Sequence, residues 1–145
     1  TIQTHYNLCY REEEREMIPF CKDQNISTLS YNPVAKGFLT GKYIRNAKNN
    51  SIRFKTDPAL AAKFFKSEDF DILEVVMQIA TEKGVKSAQI ALAWLLEKNI
   101  TSPIIGVTKI SHVEEAVDSL NIKLTSDDIK RLEEPYQVHS VHHLD

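Results

Sequence analysis

No apolar stretch of this sequence reaches the roughly 18 uncharged residues that a membrane-spanning helix needs. No leader with a basic start, an apolar centre and a small-residue cleavage site is visible, so a cytoplasmic protein without a membrane span is expected. An excess of one charge is lacking too. Eighteen Lys and Arg stand against 20 Asp and Glu, a formal net charge of −2, which leaves no electrostatic footprint for nucleic acid. Cysteine is scarce: Cys9 and Cys21 lie 12 positions apart without metal-ligand spacing and read as two reduced, buried thiols. His139, His142 and His143 read as a solvated terminus rather than a metal site. The chain begins at Thr1, directly in strand-like sequence, and reads as a piece of something longer.

What is present is enough for a core. A chain of 145 residues with 42% apolar content would bury roughly two thirds of its unfolded surface as one compact domain. The most informative stretch is Thr28 to Arg53. A β-branched run leads into Ser30-Tyr31-Asn32-Pro33, after which the chain carries Gly37 and Gly41 and no regular pattern, as where a strand ends in a loop. From Asn32 to Thr56 six basic residues (Lys36, Lys42, Arg45, Lys48, Arg53, Lys55) meet no acidic one. A cationic loop whose backbone can approach closely suits a phosphate-bearing ligand, and a solvated linker is the alternative.

The remaining elements follow from periodicity and punctuation. Thr1 to Tyr6 is β-prone. The segment after it predicts a helix with Met17, Ile18, Phe20 and Cys21 on its apolar side, kinked or starting late because of Pro19. Asn25 to Ser30 reads as a second strand, and Asp57-Pro58 opens a short helix reaching Phe64 or Phe65. Ser67 caps a helix from Glu68 to Lys83, with apolar positions 72, 73, 75, 76, 79 and 80, stopped by Gly84. Ser87 to Lys98 is a helix with Ile90, Ala91, Trp94 and Leu95 inward. Ser102 to Val107 reads as a buried strand; Ser111 with Glu114 predicts a capping box for a helix to Leu120, and Thr125 with Asp128 another for a helix ending before Pro135. Strands alternating with helices predict an α/β architecture with parallel strands.

The segments QTHYNLCYREEEREMIPFCK (3 to 22), SYNPVAKGFLTGKY (30 to 43), AQIALAWLLEK (88 to 98), TSPIIGVTKISHVEEAV (101 to 117) and LTSDDIKRLEEPYQVH (124 to 139) resemble, in order, the C-terminal half of an aldo-keto reductase, most closely the aryl-alcohol dehydrogenase type. The resemblance implies the C-terminal portion of a (β/α)8 TIM barrel: about three βα units plus extra helices over residues 1–138, followed by a flexible tail at 139–145. Such barrels place their sites in the loops after the strands. Those loops begin here after Gln3, Ser30 and Gly106.

By that resemblance, the cofactor would be NADP(H). Gln3 matches the glutamine that holds the nicotinamide carboxamide, and Tyr31 the aromatic that stacks on the nicotinamide ring. Asn32, Pro33, Val34, Ala35 and Lys36 match the loop along the pyrophosphate, with Asn32 in place of the usual serine; Lys42 and Arg53 are candidates for closing over it. Gly106, Thr108 and Lys109, before a helix N-terminus, match the 2′-phosphate site. His112 stands where arginine or glutamine is usual, Glu115 matches, and Ala116 replaces an asparagine that contacts adenine. The catalytic Asp, Tyr, Lys and His of the family belong to the N-terminal half, so no catalytic residue is assigned, and Tyr6, Tyr10, His5 and Lys42 have no spacing that supports those roles. Two functions follow. One is the cofactor-binding half of an NADP-dependent oxidoreductase acting on small aldehydes, ketones or alcohols once completed. The other is a truncated, non-catalytic relative that serves as an interaction or nucleotide-sensing module, or has no function of its own. A half barrel would leave strand edges and inward apolar side chains uncovered, which predicts marginal stability and self-association.

Overall fold

The computed structural model describes residues 1–45, 56–57 and 64–138. Three short strands, β1 (Ile2–His5), β2 (Thr28–Tyr31) and β3 (Ser102–Ile104), form one parallel sheet in the order β1-β2-β3. Gln3 lies opposite Leu29, which lies opposite Ser102; His5 lies opposite Tyr31, which lies opposite Ile104. Side chains alternate along each strand, so these six residues share one face of the sheet. The opposite face carries Thr4, Thr28 and Ser30, all buried. There the Ser30 hydroxyl donates to the Tyr6 carbonyl at 2.6 Å.

Helices supply the rest. Helix α1 (Met17–Asp23) starts late, which leaves Pro19 in the first turn, where its missing N–H costs nothing. Its apolar side is only partly as predicted, because Phe20 is 55% exposed while Cys21 is buried. The second strand also starts later than expected. Asn25 takes a left-handed φ of 53°, and Ile26 N–H donates to the Cys21 carbonyl at 2.8 Å; these residues close α1 in a Schellman turn.

Helix α2 (Ser67–Lys83) begins one residue before the predicted start, and Ser67 is its first helical residue rather than its cap. The Lys66 N–H instead donates to the Asp69 carboxylate at 3.1 Å. Gly84 ends the helix at φ 66°, as its lack of a Cβ allows. The predicted helix opening at Asp57-Pro58 lies largely outside the described residues. Helix α3 (Ser87–Glu97) turns Ile90, Ala91, Trp94 and Leu95 fully inward. With Tyr6, Leu8, Phe38, Leu39, Ile72, Leu73, Val76, Ile79 and Leu132 they form the core. It lies on the helix-covered side of the sheet.

The third strand departs from expectation. It is shorter than 102–107 and its burial pattern is exposed, half-buried, exposed, because it occupies a sheet edge and its outer face has no cover among the described residues. Helix α4 (Ile110–Asp118) starts one residue early, with Lys109 as cap, and no side chain caps it. His112 N–H already bonds the Lys109 carbonyl at 3.1 Å, so Ser111 lies inside the helix and the expected Ser111–Glu114 box does not form. The second box does form on helix α5 (Ser126–Glu133). Thr125 Oγ1 accepts from the Asp128 N–H at 3.1 Å, and the Asp128 carboxylate accepts from the Thr125 N–H at 2.8 Å. Cys9 and Cys21 are free and buried. No helix among the described residues is long and apolar enough to cross a membrane. The predicted tail at 139–145 lies outside the described residues.

Candidate functional site

Parallel strands put all three C-terminal ends at one end of the sheet. The segments that follow them, 6–16, 32–45 and 105–109, therefore rim the same end. Gln3 is exposed and Tyr31 half-buried, both on the sheet face that also carries the buried His5. The Tyr31 hydroxyl is pushed up by burial, with Tyr10 and Glu13 adding to the effect, so it is a neutral phenol that can offer a ring face.

The loop after Tyr31 is backbone-built. Asn32, Ala35, Lys36 and Gly37 have φ of 62°, 49°, 54° and 88°. Left-handed φ at Ala35 and Lys36 is uncommon for residues with a Cβ and costs on the order of 1–3 kcal/mol each. Local bonds hold the loop there. The Asn32 side-chain Oδ1 accepts the Lys36 N–H at 2.5 Å, and Gly37 N–H donates to the Val34 carbonyl at 2.9 Å. A Cβ on Gly37 would lie 3.2 Å from Lys42 Nζ, so the turn and the Lys42 ammonium sit side by side. Pro33 and Ala35 are buried and Val34 is half-buried, so the loop is packed down rather than splayed.

Two of the expected polar groups are already engaged. Lys36 Nζ pairs with the Asp57 carboxylate at 2.8 Å, and Glu115 pairs with Lys86. Lys42 forms no ion pair among the described residues; it sits over the Tyr43 ring at 5.1 Å. Arg53 lies outside the described residues. At the other end of the rim Gly106, Thr108, Lys109 and His112 are all exposed. They lead into α4, whose first-turn N–H groups have no side-chain cap. The structure thus gathers Gln3, Tyr31 and Asn32 to Lys42 at one strand pair and Gly106 to Glu115 at the next.

Two residues close to this rim escape sequence reasoning. The His5 ring stacks between Tyr10 and Tyr31, with centroids 4.5 and 5.1 Å away, and the Asn7 amide reaches both His5 and the Asn32 carbonyl. Only the cross-strand register, His5 opposite Tyr31, brings them together. A second polar cluster braces the 6–16 segment. Tyr6 donates to Glu14 at 2.5 Å, Arg11 forks onto Glu14, and Tyr136 donates to Glu12 at 2.7 Å. Burial first, and the adjacent carboxylates second, push both tyrosine hydroxyls up. They hold structure and are not poised as proton donors near neutrality.

The pattern of the aldo/keto reductase family matches residues 1–137. The chain is 38% identical over 145 residues to a versiconal hemiacetal acetate reductase of Aspergillus parasiticus, covering 98% of this chain and 41% of that protein. It is 40% identical over 136 residues to a Schizosaccharomyces pombe protein named as an aryl-alcohol dehydrogenase, covering 94% of this chain and 41% of that one. It therefore spans about two fifths of the length of these relatives. A crystallised thermostable aldo-keto reductase superposes with a TM-score of 0.61 at 24% identity, over 92% of this chain and 38% of that chain. Three parallel strands with intervening helices are thus a portion of a TIM barrel, and the chain belongs to the aldo-keto reductase family.

Proposed function

We propose that residues 1–138 are the cofactor-binding half of an NADP-dependent oxidoreductase of the aryl-alcohol dehydrogenase type, cytoplasmic, interconverting small aldehydes or ketones and alcohols when completed by an N-terminal half. The observation that carries this reading is the placement of Gln3 and Tyr31 on one face of the sheet, with a left-handed loop after one strand and a helix start without a side-chain cap after the next.

In this reading Gln3 offers its amide to the nicotinamide carboxamide, and Tyr31 gives a neutral ring face for stacking. The Asn32–Lys36 backbone, with Lys42 and Arg53, lies along the pyrophosphate. Gly106, Thr108 and Lys109 take the 2′-phosphate at the start of α4, where free N–H groups and the helix dipole favour negative charge; His112 and Glu115 border the adenosine. NADPH, when bound, supplies the hydride. This chain's own residues bind and orient, and the proton donor comes from the N-terminal half that completes the barrel. The Lys36–Asp57 and Lys86–Glu115 pairs lower the net charge offered to phosphate and set a limit on affinity.

The test is titration of the chain with NADPH, read by the cofactor's fluorescence, beside a carbonyl-reduction assay. Saturable binding without turnover is expected. Turnover would overturn the assignment of the chemistry to the other half, and absence of binding would overturn the cofactor reading altogether.

A further inference from the structure

We propose that His5 is a positioning residue for the Tyr31 ring, and that Asn32 couples this ring support to the loop after β2. The proposal rests on the cofactor reading only for what Tyr31 stacks against. The geometry of the support stands alone.

His5 Nε2 lies 3.2 Å from Asn7 Nδ2 and 3.3 Å from Asn32 Nδ2. Amide nitrogens and oxygens are often interchangeable on paper; here the backbone decides between them. Asn7 Oδ1 accepts the Cys9 N–H at 2.9 Å, and Asn32 Oδ1 accepts the Lys36 N–H at 2.5 Å. Both amides must therefore turn N–H groups toward His5. An imidazole nitrogen that accepts from two donors carries the lone pair, so the ring hydrogen is on Nδ1.

That bonding holds the ring plane, and the plane does the rest. Tyr10 and Tyr31 lie nearly parallel to His5, at 12° and 16°, one on each side, and Phe64 meets its edge at 83°. Tyr31 is thus backed on one side by a ring that two amides hold in place. Asn32 takes part in both structures. One atom of its side chain fixes the Lys36 turn and the other holds His5, each through a separate atom of the planar amide. Its φ of 62° is a conformation asparagine accepts more readily than most residues.

The test has two arms. In the ligand-free chain, nitrogen NMR of His5 should show the Nδ1–H tautomer alone at mildly alkaline pH, and Asn32→Ser should release it to a mixture. A mixed tautomer in the unsubstituted chain overturns the proposal whether or not any nucleotide binds. In the second arm His5→Phe, which keeps a flat ring but cannot accept from the amides, is titrated with NADPH and with adenosine 2′,5′-bisphosphate, which lacks the nicotinamide. The expected result is a loss of about fivefold for NADPH with the bisphosphate affinity unchanged. Equal losses for both would make His5 merely structural and overturn the proposal. If the unsubstituted chain binds neither ligand, the cofactor reading fails and the first arm alone decides the positioning of Tyr31.

Discussion

Glu133 accepts from Trp94 Nε1 at 2.9 Å, Lys98 Nζ at 2.5 Å and Arg11 Nη2 at 3.2 Å, joining the end of α5 to α3 and to the segment after β1. Burial pushes its carboxyl up, but the Lys98 and Trp94 hydrogen bonds and the Arg11 charge outweigh it and leave the pKa below the ordinary value of 4.5. A depressed carboxylate stabilises the fold above its unfolded pKa and loses that contribution as pH falls through the folded one. Glu133→Gln should therefore cost about 2 kcal/mol near neutrality, or about 6 °C in melting temperature. The two melting curves should converge in acid. A constant gap across pH would show that shape, not charge, carries the effect. At the candidate site the corresponding test is Lys109→Ala. It should weaken NADPH about tenfold, the worth of one charge-assisted bond to phosphate, and leave NADH unchanged; equal losses for both would remove Lys109 from the 2′-phosphate.

Two helix starts differ in one respect, and a pair of substitutions separates them. Thr125→Ala removes the oxygen that accepts the Asp128 N–H and should cost about 1 kcal/mol by thermal melt. Ser111→Ala removes nothing of the kind, since α4 has no side-chain cap, and should stay within about 0.5 kcal/mol. Both starts carry the same S/T-x-x-D/E signature, so composition could not tell them apart. What decided was whether the first polar residue was still extended, as Thr125 is at ψ 165°, or already helical, as Ser111 is. The same limit explains the other differences. Periodicity predicted α2 and α3 to within a residue, because a buried stripe repeats many times along each. The starts of β2 and α1 turned on one left-handed Asn25 and one proline, which leave little pattern. Tyr31 was legible as a strand residue ahead of a loop, whereas the loop expected directly after Gln3 begins only past His5, because β1 runs on to that residue. The His5 stack was not legible, because it exists only across the β1–β2 register, and the left-handed Ala35 and Lys36 have no signature in residue type.

Among the described residues β3 and α4 keep apolar side chains exposed, and this governs the behaviour of the whole molecule. Ile104 is 41% exposed, and α4 presents Ile110, Val113 and Val117 at spacings of three and four, with Ile110 80% and Val117 56% exposed; Leu120, in the turn just after the helix, is exposed as well. The three helical positions form one stripe, and separately the outer edge of β3 has no strand partner on that side among the described residues. Water in contact with a stripe and an edge of this kind favours association, because joining two such surfaces buries apolar area and pairs open backbone groups. The purified chain should sediment as a dimer or larger species at micromolar concentration. Ile110→Glu combined with Val117→Glu should shift it toward monomer without lowering its melting temperature by more than about 1 kcal/mol equivalent, since neither side chain is in the core. A chain that is monomeric from the outset, with a sharp melt, would show that three βα units close over their own apolar surface by a rearrangement that this fold does not display. Addition of the N-terminal half of a relative provides the converse measurement: if the stripe and edge belong to the barrel wall, the added half should displace the self-associated form and protect the β3 amides from hydrogen exchange.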